Sequence, residues 1–452
     1  MSSSRVTSGL LGPEPLSPAA RRAVLAGFIG FAVDFFDIYL PVLALAPVIA
    51  YFEPPGLGAT ASTTIYFFTF AATLFGRPCG AVIFGHWADK IGRRRTTMIS
   101  IAGFGGFTIL IACLPGYAAI GVFSLVLLIV LRFIDGVFMG GEYTSNNTLA
   151  LEMVPRQRRG FVGGVLQGAF PIGFAFVSGA TTLMLSLTTH DQYLAWGWRI
   201  PFIFGGVLAF AFLLYYRLVP ESAMWLASEK SRAPLKQLLS GPHVGNLVQV
   251  FLMMSGFWLI TQASVILPGL MIQHLHVPSR MTSNGFLFGS IVLFFGFVAC
   301  GLISQMIGRR ITIALSGVVV LIGGCILYYL AVANALRGGA PVLTTTIAAA
   351  FYVLVVSPWG IVTTYICERF PTHVRASGYG IGYSVAVVIP AFAGFYLLAL
   401  STVMPYVYTP LVLLALAGVL ILVGALMGPE TREVELHRLH LANPTTRPSP
   451  AE

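Results

Sequence analysis

The sequence predicts an all-α membrane protein whose twelve transmembrane helices form two pseudo-symmetric six-helix bundles. Of its 452 residues, 57% are hydrophobic and only 9% are charged, whereas an ordinary soluble domain has roughly 25% charged residues. Apolar stretches of about 20 residues, the length that crosses a bilayer, recur along the whole chain. In addition, two short motifs repeat at one common offset. The composition therefore excludes a soluble enzyme.

Twelve apolar stretches are long enough to span a membrane. They run approximately over residues 23–50, 62–85, 96–114, 120–150, 160–184, 199–218, 245–272, 284–306, 311–333, 343–367, 377–400 and 406–427. The predicted order along the chain is a tail (1–22), an N-terminal bundle (23–218), a linker (219–243), a C-terminal bundle (244–427) and a second tail (428–452). Because the number of spans is even, both chain ends should lie on one side.

The distribution of Lys and Arg predicts which side that is. The loops on the side of the two chain ends carry most of these residues, whereas the opposite loops carry only Arg199, Arg280 and Arg337. Under the positive-inside rule, both termini are then cytoplasmic, as in a multi-pass protein of a bacterial inner membrane. The formal charge of +10 does not indicate nucleic-acid binding, because apolar stretches separate the basic residues. No cysteine pair has the spacing of a metal site.

The loop after the second span and the loop after the eighth are related in sequence, at an offset of 216 residues. The matching positions are Gly85 and Gly301, Asp89 and Gln305, Gly92 and Gly308, Arg93 and Arg309, and Arg94 and Arg310. A second motif follows spans four and ten at the same offset, matching Glu152 with Glu368 and Arg159 with Arg375. Two independent motifs with one offset predict two six-span halves, an arrangement typical of secondary transporters with a midplane site.

A third motif is repeated at the end of each half, at an offset of 209. It reads Pro220-Glu221-Ser222 in the first half and Pro429-Glu430-Thr431 in the second. The polar linker, residues 219–243, includes the first copy and contains Glu221, Glu229, Lys230, Arg232 and Lys236.

Residues 85–94 resemble the loop signature of the major facilitator superfamily. Residues 75–80, 132–136 with 140–144, and 196–202 are similar to its metabolite:proton symporter branch, which includes proline/betaine and 2-oxoglutarate carriers. The resemblance implies the major facilitator fold, protons as the coupling ion and no other cofactor. Asp34 and Asp37 stand where the branch has Glu-Trp-Phe-Asp, and Gln305 replaces the loop acid of the second copy, so a latch there should be weaker.

Only four acidic residues lie well within spans: Asp34, Asp37, Asp135 and Glu142. A charge at the bilayer centre costs at least about 2.5–3.5 kcal/mol, so such residues usually face a cavity or a partner. At 1.5 Å per residue, all four lie roughly 15–26 Å from the cytoplasmic ends of spans one and four. These two spans can therefore share a ladder of charges if they are neighbours, as the resemblance implies.

Arg77 and Arg132 are the basic residues within spans. With four acids they would leave a net charge of −2 if every group were ionised, so at least one carboxylate should take up a proton reversibly. We therefore predict proton coupling through Asp34, Asp37, Arg132, Asp135 and Glu142. The alternative is static pairing of Arg132 with Asp135 and of Arg77 with an acid on span one. No histidine lies mid-span, so a histidine relay is not expected.

The second half has no mid-membrane charge and offers neutral polar and aromatic side chains for substrate contact. The predicted substrate-binding residues are Arg77, Arg132, Gln262, Trp359, Tyr365 and Tyr383, with Trp258, Asn284 and Thr363 as further polar or aromatic candidates. Any of the neutral residues can instead be a structural hydrogen-bonding group.

The repeated loops predict a conformational latch, with a solvated charge cluster that only sets topology as the alternative. The predicted latch residues are Gly85, Asp89, Gly92, Arg93, Arg94, Glu152, Arg159, Gly301, Arg309, Glu368 and Arg375. Glycines four residues apart on spans two, five, eight and eleven let helices approach closely. In the resembling family these spans form the seam between the halves, so the glycines predict sliding contacts there; ordinary packing is the alternative.

The leading hypothesis is a proton-coupled symporter for a small organic acid or zwitterion that works by alternating access. An uncoupled facilitator or an exporter on the same scaffold is the alternative. A membrane-embedded enzyme would need a nucleophile, base or metal cluster, and no such motif occurs. The expected partners are a small-molecule substrate, a carboxylate or betaine, and the lipid bilayer, without nucleic acid, and the expected state is a monomer.

Overall fold

The structure is a computed structural model, and it describes residues 15–57, 59–228, 233–241 and 243–436. Glu229, Lys230 and Arg232 of the predicted linker lie outside these residues, as do most positions of the two predicted tails. Within the described residues the secondary structure is helical without strands, and twelve helices are long and apolar enough to cross a membrane. The all-α fold class with twelve spans is confirmed.

Each predicted span corresponds to one helix. The N-terminal half contains α1 (Pro18–Leu45), α2 (Phe68–Ile91, the membrane-length part of a helix that begins at Ala59), α3 (Arg93–Ala112), α4 (Phe123–Glu152), α5 (Arg156–Leu187) and α6 (His190–Tyr216). The C-terminal half contains α7 (Val244–Gln273), α8 (Ser279–Ile307), α9 (Arg309–Leu336), α10 (Pro341–Arg369), α11 (Thr372–Leu400) and α12 (Tyr406–Met427). Two short helices, Ala223–Ala227 and Pro234–Ser240, lie between the halves in sequence.

The first span differs from its predicted bounds of 23–50 at both ends. Helix α1 begins at Pro18, because the Ser17 hydroxyl accepts a hydrogen bond from the Ala20 amide and proline suits the first helical turn. Its regular part ends at Leu40, and the chain continues as a π turn over Pro41–Leu45 and a 3-10 helix over Ala46–Tyr51. Pro41 lacks the N–H that a regular α-helix needs there.

The two halves share an N-terminal cap on their third helices. Gly92 and Gly308 precede α3 and α9 with φ angles of 108° and 104°, a region that favours glycine. The carboxylate of Glu221 accepts hydrogen bonds from the first amides of α3, and that of Glu430 does the same for α9. The third repeated motif, which contains Glu221 and Glu430, therefore supplies the capping carboxylate in each half.

The side of the molecule at which α1 begins and α12 ends is called the basic face below. Near it, the two halves meet along two seams with very close backbone approach. On one seam α2 packs against α11, with Gly85 against the backbone of Ser377. On the other seam α5 packs against α8, with Gly160 against Gly301. A β-carbon at any of these glycines would collide with the opposite half.

The prediction that all four sets of spaced glycines lie on the seams is wrong for three of them. Only the glycines of α5, residues 160, 164 and 168, face the other half, through Gly301, Phe297 and Phe294 of α8. The other pairs pack inside their own halves: Gly76 and Gly80 against α4, Gly285 and Gly289 against α10, Gly378 against Phe370 and Gly382 against Val250. Small-residue spacing indicates close approach but does not identify the partner helix.

Candidate functional site

A buried ion cluster joins α1, α3 and α4. The Nη1 atom of Arg132 lies 2.8 Å from Oδ2 of Asp135 and 3.5 Å from Oδ2 of Asp37. The Thr108 hydroxyl lies 2.8 Å from Oδ1 of Asp37 and is placed to donate to it. The ring of Phe202 covers the guanidinium of Arg132 at 5.3 Å. Two carboxylates thus share one nitrogen of a single arginine.

A second buried cluster joins α1, α2 and α4. Nη2 of Arg77 lies 3.1 Å from Oδ2 of Asp34, and its guanidinium lies 4.7 Å from the ring centre of Tyr143. Oε1 of Glu142 accepts a hydrogen bond from the amide of Asn146 at 2.7 Å. The predicted neighbours α1 and α4 are therefore adjacent, and the charges within spans form two neighbouring clusters.

The charges of these clusters do not balance when every group is ionised. The four carboxylates and two guanidiniums are each at most 4% exposed. Both static pairs of the alternative interpretation are present, Arg132 with Asp135 and Arg77 with Asp34, but they leave the charges of Asp37 and Glu142 uncompensated. Among the described residues, Oε2 of Glu142 and Oδ2 of Asp37 have no hydrogen-bond partner. With every group ionised, the two clusters together would carry a net charge of −2.

Aromatic side chains from both halves pack beside Arg77. The ring of Tyr143 on α4 lies 4.9 Å from that of Tyr383 on α11. Trp258 and Trp359 contact the same Tyr383 ring at 5.5 and 5.9 Å. The hydroxyl of Tyr143 and the indole N–H of Trp359 are buried and have no hydrogen-bond partner among the described residues. An arginine beside two unsatisfied polar groups and several aromatic rings suits a small ligand with a carboxylate and an apolar part.

The structure brings together only some of the predicted substrate residues. Arg77, Trp359 and Tyr383 belong to the aromatic cluster, whereas Arg132 belongs to the cluster of Asp37. Tyr365 lies outside the aromatic cluster. It follows Trp359 by six residues, about 9 Å along a helix, towards the basic-face end of α10. Its hydroxyl accepts a hydrogen bond from Gln249.

Gln262 and Asn284 also have other surroundings, whereas Thr363 lies beside the aromatic cluster. Gln262 on α7 is partly exposed, and Asn284 on α8 is exposed. Thr363 is buried, and its hydroxyl lies 3.2 Å from the amide of Gln167 in the other half and 3.4 Å from the hydroxyl of Tyr379, both placed to donate to it.

Three residues of the site do not follow from the sequence reasoning. Tyr143 directly follows Glu142 in a motif that the sequence already singled out, and Tyr379 stacks on Tyr383 one helical turn away, so helical spacing could have identified Tyr379. Thr108 had no such signal. A threonine in an apolar span usually bonds its own helix, and this hydroxyl also lies 2.8 Å from the carbonyl of Phe104.

At the basic face, the latch residues of the first copy bridge the two halves. Glu152 of α4 pairs with Arg375 of α11 at 2.7 Å and with Arg93 at 3.3 Å. Asp89 at the end of α2 accepts hydrogen bonds from the amides of Ala376 and Ser377 and from the Ser377 hydroxyl, at 2.7–3.2 Å. The carboxylate thus caps the N-terminus of α11, where a negative charge is favourable.

The second copy is built more loosely. Glu368 pairs with Arg309 at 3.3 Å but with Arg159 of the other half only at 3.9 Å. Gln305, at the position of Asp89, accepts from the Gly160 amide at 3.3 Å. The weaker latch expected from Gln305 stays a prediction. Arg94 does not cross between the halves, because its guanidinium donates to the Arg217 carbonyl of its own half.

We expect Asp89→Asn to increase opening of the basic face. Hydrogen bonds to a charged group contribute about 1.5–3 kcal/mol each, so the loss of the charge should raise the open population on the order of tenfold or more. Cys367 is buried at the basic-face end of α10 and is 1% exposed. The rate of its maleimide labelling, with the other four cysteines replaced by serine, measures this opening.

Two variants serve as controls for that experiment. Gln305→Ala should accelerate labelling less than Asp89→Asn, since it removes one neutral bond between the halves. Asp191→Asn, at an exposed acid on α6, should leave labelling unchanged. Equal labelling of the Asp89 variant and the parent protein would show that this loop does not hold the halves together.

Comparison with known proteins places this architecture among membrane transporters. The family model described as Major Facilitator Superfamily matches residues 27–394. The inner membrane metabolite transport protein YhjE of Escherichia coli is 32% identical over 425 residues, covering 92% of this chain and 95% of its own. The alpha-ketoglutarate permease of the same organism is 29% identical, covering 81% of this chain and 84% of its own.

A solved structure has the same fold. The E. coli proton:xylose symporter XylE, bound to 6-bromo-6-deoxy-D-glucose, matches with a TM-score of 0.79, covering 94% of this chain and 99% of its own. Its sequence identity is 17%, so the match concerns the fold alone.

Proposed function

The chain belongs to the Major Facilitator Superfamily, and from this premise we propose that it is a proton-coupled symporter for a small organic acid or zwitterion. It is an integral multi-pass membrane protein and a transporter of metabolites, not an enzyme. The symport mechanism and the class of substrate are the parts that we propose.

One observation carries the proton coupling: four buried carboxylates face only two arginines. A proton on Asp37 would leave Arg132 paired with Asp135 alone, and a proton on Asp34 would release the guanidinium of Arg77. Together these two protons would bring the buried net charge from −2 to zero, which favours moving the site through a low-dielectric state. Protons therefore serve as the coupling ion without another cofactor.

The substrate class is supported by the surroundings of Arg77. Its guanidinium can bind a carboxylate in bidentate geometry when Asp34 is protonated. The hydroxyl of Tyr143 and the indole N–H of Trp359 lie in the aromatic cluster beside it as further donors. The name of the alpha-ketoglutarate permease, a relative, agrees with a carboxylate substrate. Competition between Asp34 and the substrate for one arginine would link the two fluxes.

Alternating access would require the two basic-face seams to separate. We propose that the basic face is the cytoplasmic side, since its loops carry most of the Lys and Arg. Both chain ends are then cytoplasmic. The latch formed by Asp89, Glu152 and Arg375 would hold the cytoplasmic side closed until proton and substrate have bound from the other side.

The test has two steps with the purified protein. A panel of mono-, di- and tricarboxylates, betaines and aromatic acids is first screened for thermal stabilisation. The best ligand is then offered to reconstituted vesicles with an imposed pH gradient. We expect accumulation that a protonophore abolishes. Accumulation that a protonophore leaves unchanged would disprove proton coupling, and equilibration without accumulation would indicate an uncoupled facilitator.

A further inference from the structure

The N-terminal half has a basic cleft at the basic face. The ends of α1, α3 and α6 surround a space of about 630 Å³. Its lining includes three arginines, Arg22, Arg94 and Arg217, together with Glu221. Arg22 lies on α1, Arg94 on α3 and Arg217 directly after the end of α6, so the cleft joins helices that are distant in sequence.

Glu221, the acid in this lining, already has hydrogen-bond donors from the backbone. The carboxylate of Glu221 accepts hydrogen bonds from the amides of Arg93, Arg94 and Ser222 at 3.0–3.3 Å. It therefore serves the N-terminus of α3. The lining still has an excess of two positive charges, and the N-terminus of α1, which begins at Pro18 beside Ser17, adds its partial positive charge.

Two of the arginines have no counterpart in the other half of the internal repeat. Arg310 matches Arg94 at the offset of 216, and its guanidinium donates to the Leu426 carbonyl just as that of Arg94 donates to the Arg217 carbonyl. At the offset of 209, however, Leu426 stands in place of Arg217. The first turn of α7 likewise has no arginine, whereas α1 has Arg22.

We propose that this cleft binds the phosphate group of an anionic phospholipid. Its arginines lie at the ends of spans, at the depth of lipid headgroups, and basic pockets between such spans bind anionic headgroups. On the same end of α6, Leu214 and Leu218 are each 61% exposed, so acyl chains can lie beside the cleft. Guanidinium groups suit phosphate because they bind it in bidentate geometry.

The test measures lipid binding by the full-length protein in detergent. Dioleoylphosphatidylglycerol is titrated, with dioleoylphosphatidylcholine as the neutral lipid, and bound lipid is counted by native mass spectrometry. We expect a preference for the anionic lipid that weakens about 30-fold in the double variant Arg22→Gln/Arg217→Gln, at about 1 kcal/mol per arginine. Arg95→Gln is the matched control, because exposed Arg95 neighbours Arg94 but does not line the cleft.

Each outcome decides the question. A preference that the double variant loses and Arg95→Gln keeps supports the site. An equal loss in both variants would mean that general charge attraction alone holds the lipid and would overturn the proposal. Competition by inorganic phosphate and by glycerol 3-phosphate is measured as well. If either displaces the lipid at equal concentration, the cleft is a site for soluble anions instead. Circular dichroism of each variant confirms that it is folded.

Discussion

Asp37→Asn is expected to abolish accumulation driven by a pH gradient while exchange of substrate across the membrane continues. The carboxylate of Asp37 shares Nη1 of Arg132 with Asp135, and an amide at this position can neither bind nor release a proton. One pH unit corresponds to 1.36 kcal/mol per proton, or about tenfold accumulation for a symport of one proton per substrate. We expect this ratio to fall to about one.

The measurement compares net uptake with counterflow of labelled substrate in the same vesicles. Because Arg132 keeps Asp135 as its partner, the variant should fold and should retain part of its exchange activity. Asp191→Asn removes an exposed acid from the same half and should accumulate substrate normally. Normal accumulation in the Asp37 variant would move the proton site to Asp34 or Glu142.

The charged part of the site could be predicted from the sequence, since an ionisable group in a membrane span needs a partner. Counting residues from the span ends placed the acids of α1 and α4 at similar depth, and the structure places Asp37 against Arg132. The same reasoning fails for neutral residues. An aromatic or amide side chain is tolerated at many depths, so Tyr365 and Gln262 were indistinguishable in sequence from Trp359 and Tyr383.

For the predicted latch residues, too, the sequence predicts one part of the arrangement and not the other. The repeat predicts that Glu152, Arg159, Glu368 and Arg375 act together, but it does not say which acid meets which arginine. In the structure Glu152 reaches Arg375 of the other half at 2.7 Å. The acid of one half meets the arginine of the other because the two-fold pseudo-symmetry brings the same loop of each half to the common seam. No local pattern encodes that contact.

Substitution of Arg77 by Gln is expected to weaken substrate binding at least about 30-fold and to destabilise the protein. Removal of one partner from a buried ion pair typically costs 3–5 kcal/mol, and Asp34, at 3.1 Å from Arg77, would lose its partner. The loss of a buried charged contact to a ligand costs at least about 2 kcal/mol, which corresponds to roughly 30-fold in affinity. Thermal unfolding with and without the best ligand of the screen measures both effects.

The double variant Asp34→Asn/Arg77→Gln separates folding from binding. It replaces the ion pair by two neutral side chains that can hydrogen-bond, so most of the stability should return while the ligand-induced shift stays well below that of the parent protein. Arg77→Lys keeps the charge but loses the bidentate geometry, and it should bind more weakly than the parent protein. If the double variant bound the ligand with full affinity, the pair of Arg77 and Asp34 would be a static support of α1 and α2, and the carboxylate of the substrate would need another cation.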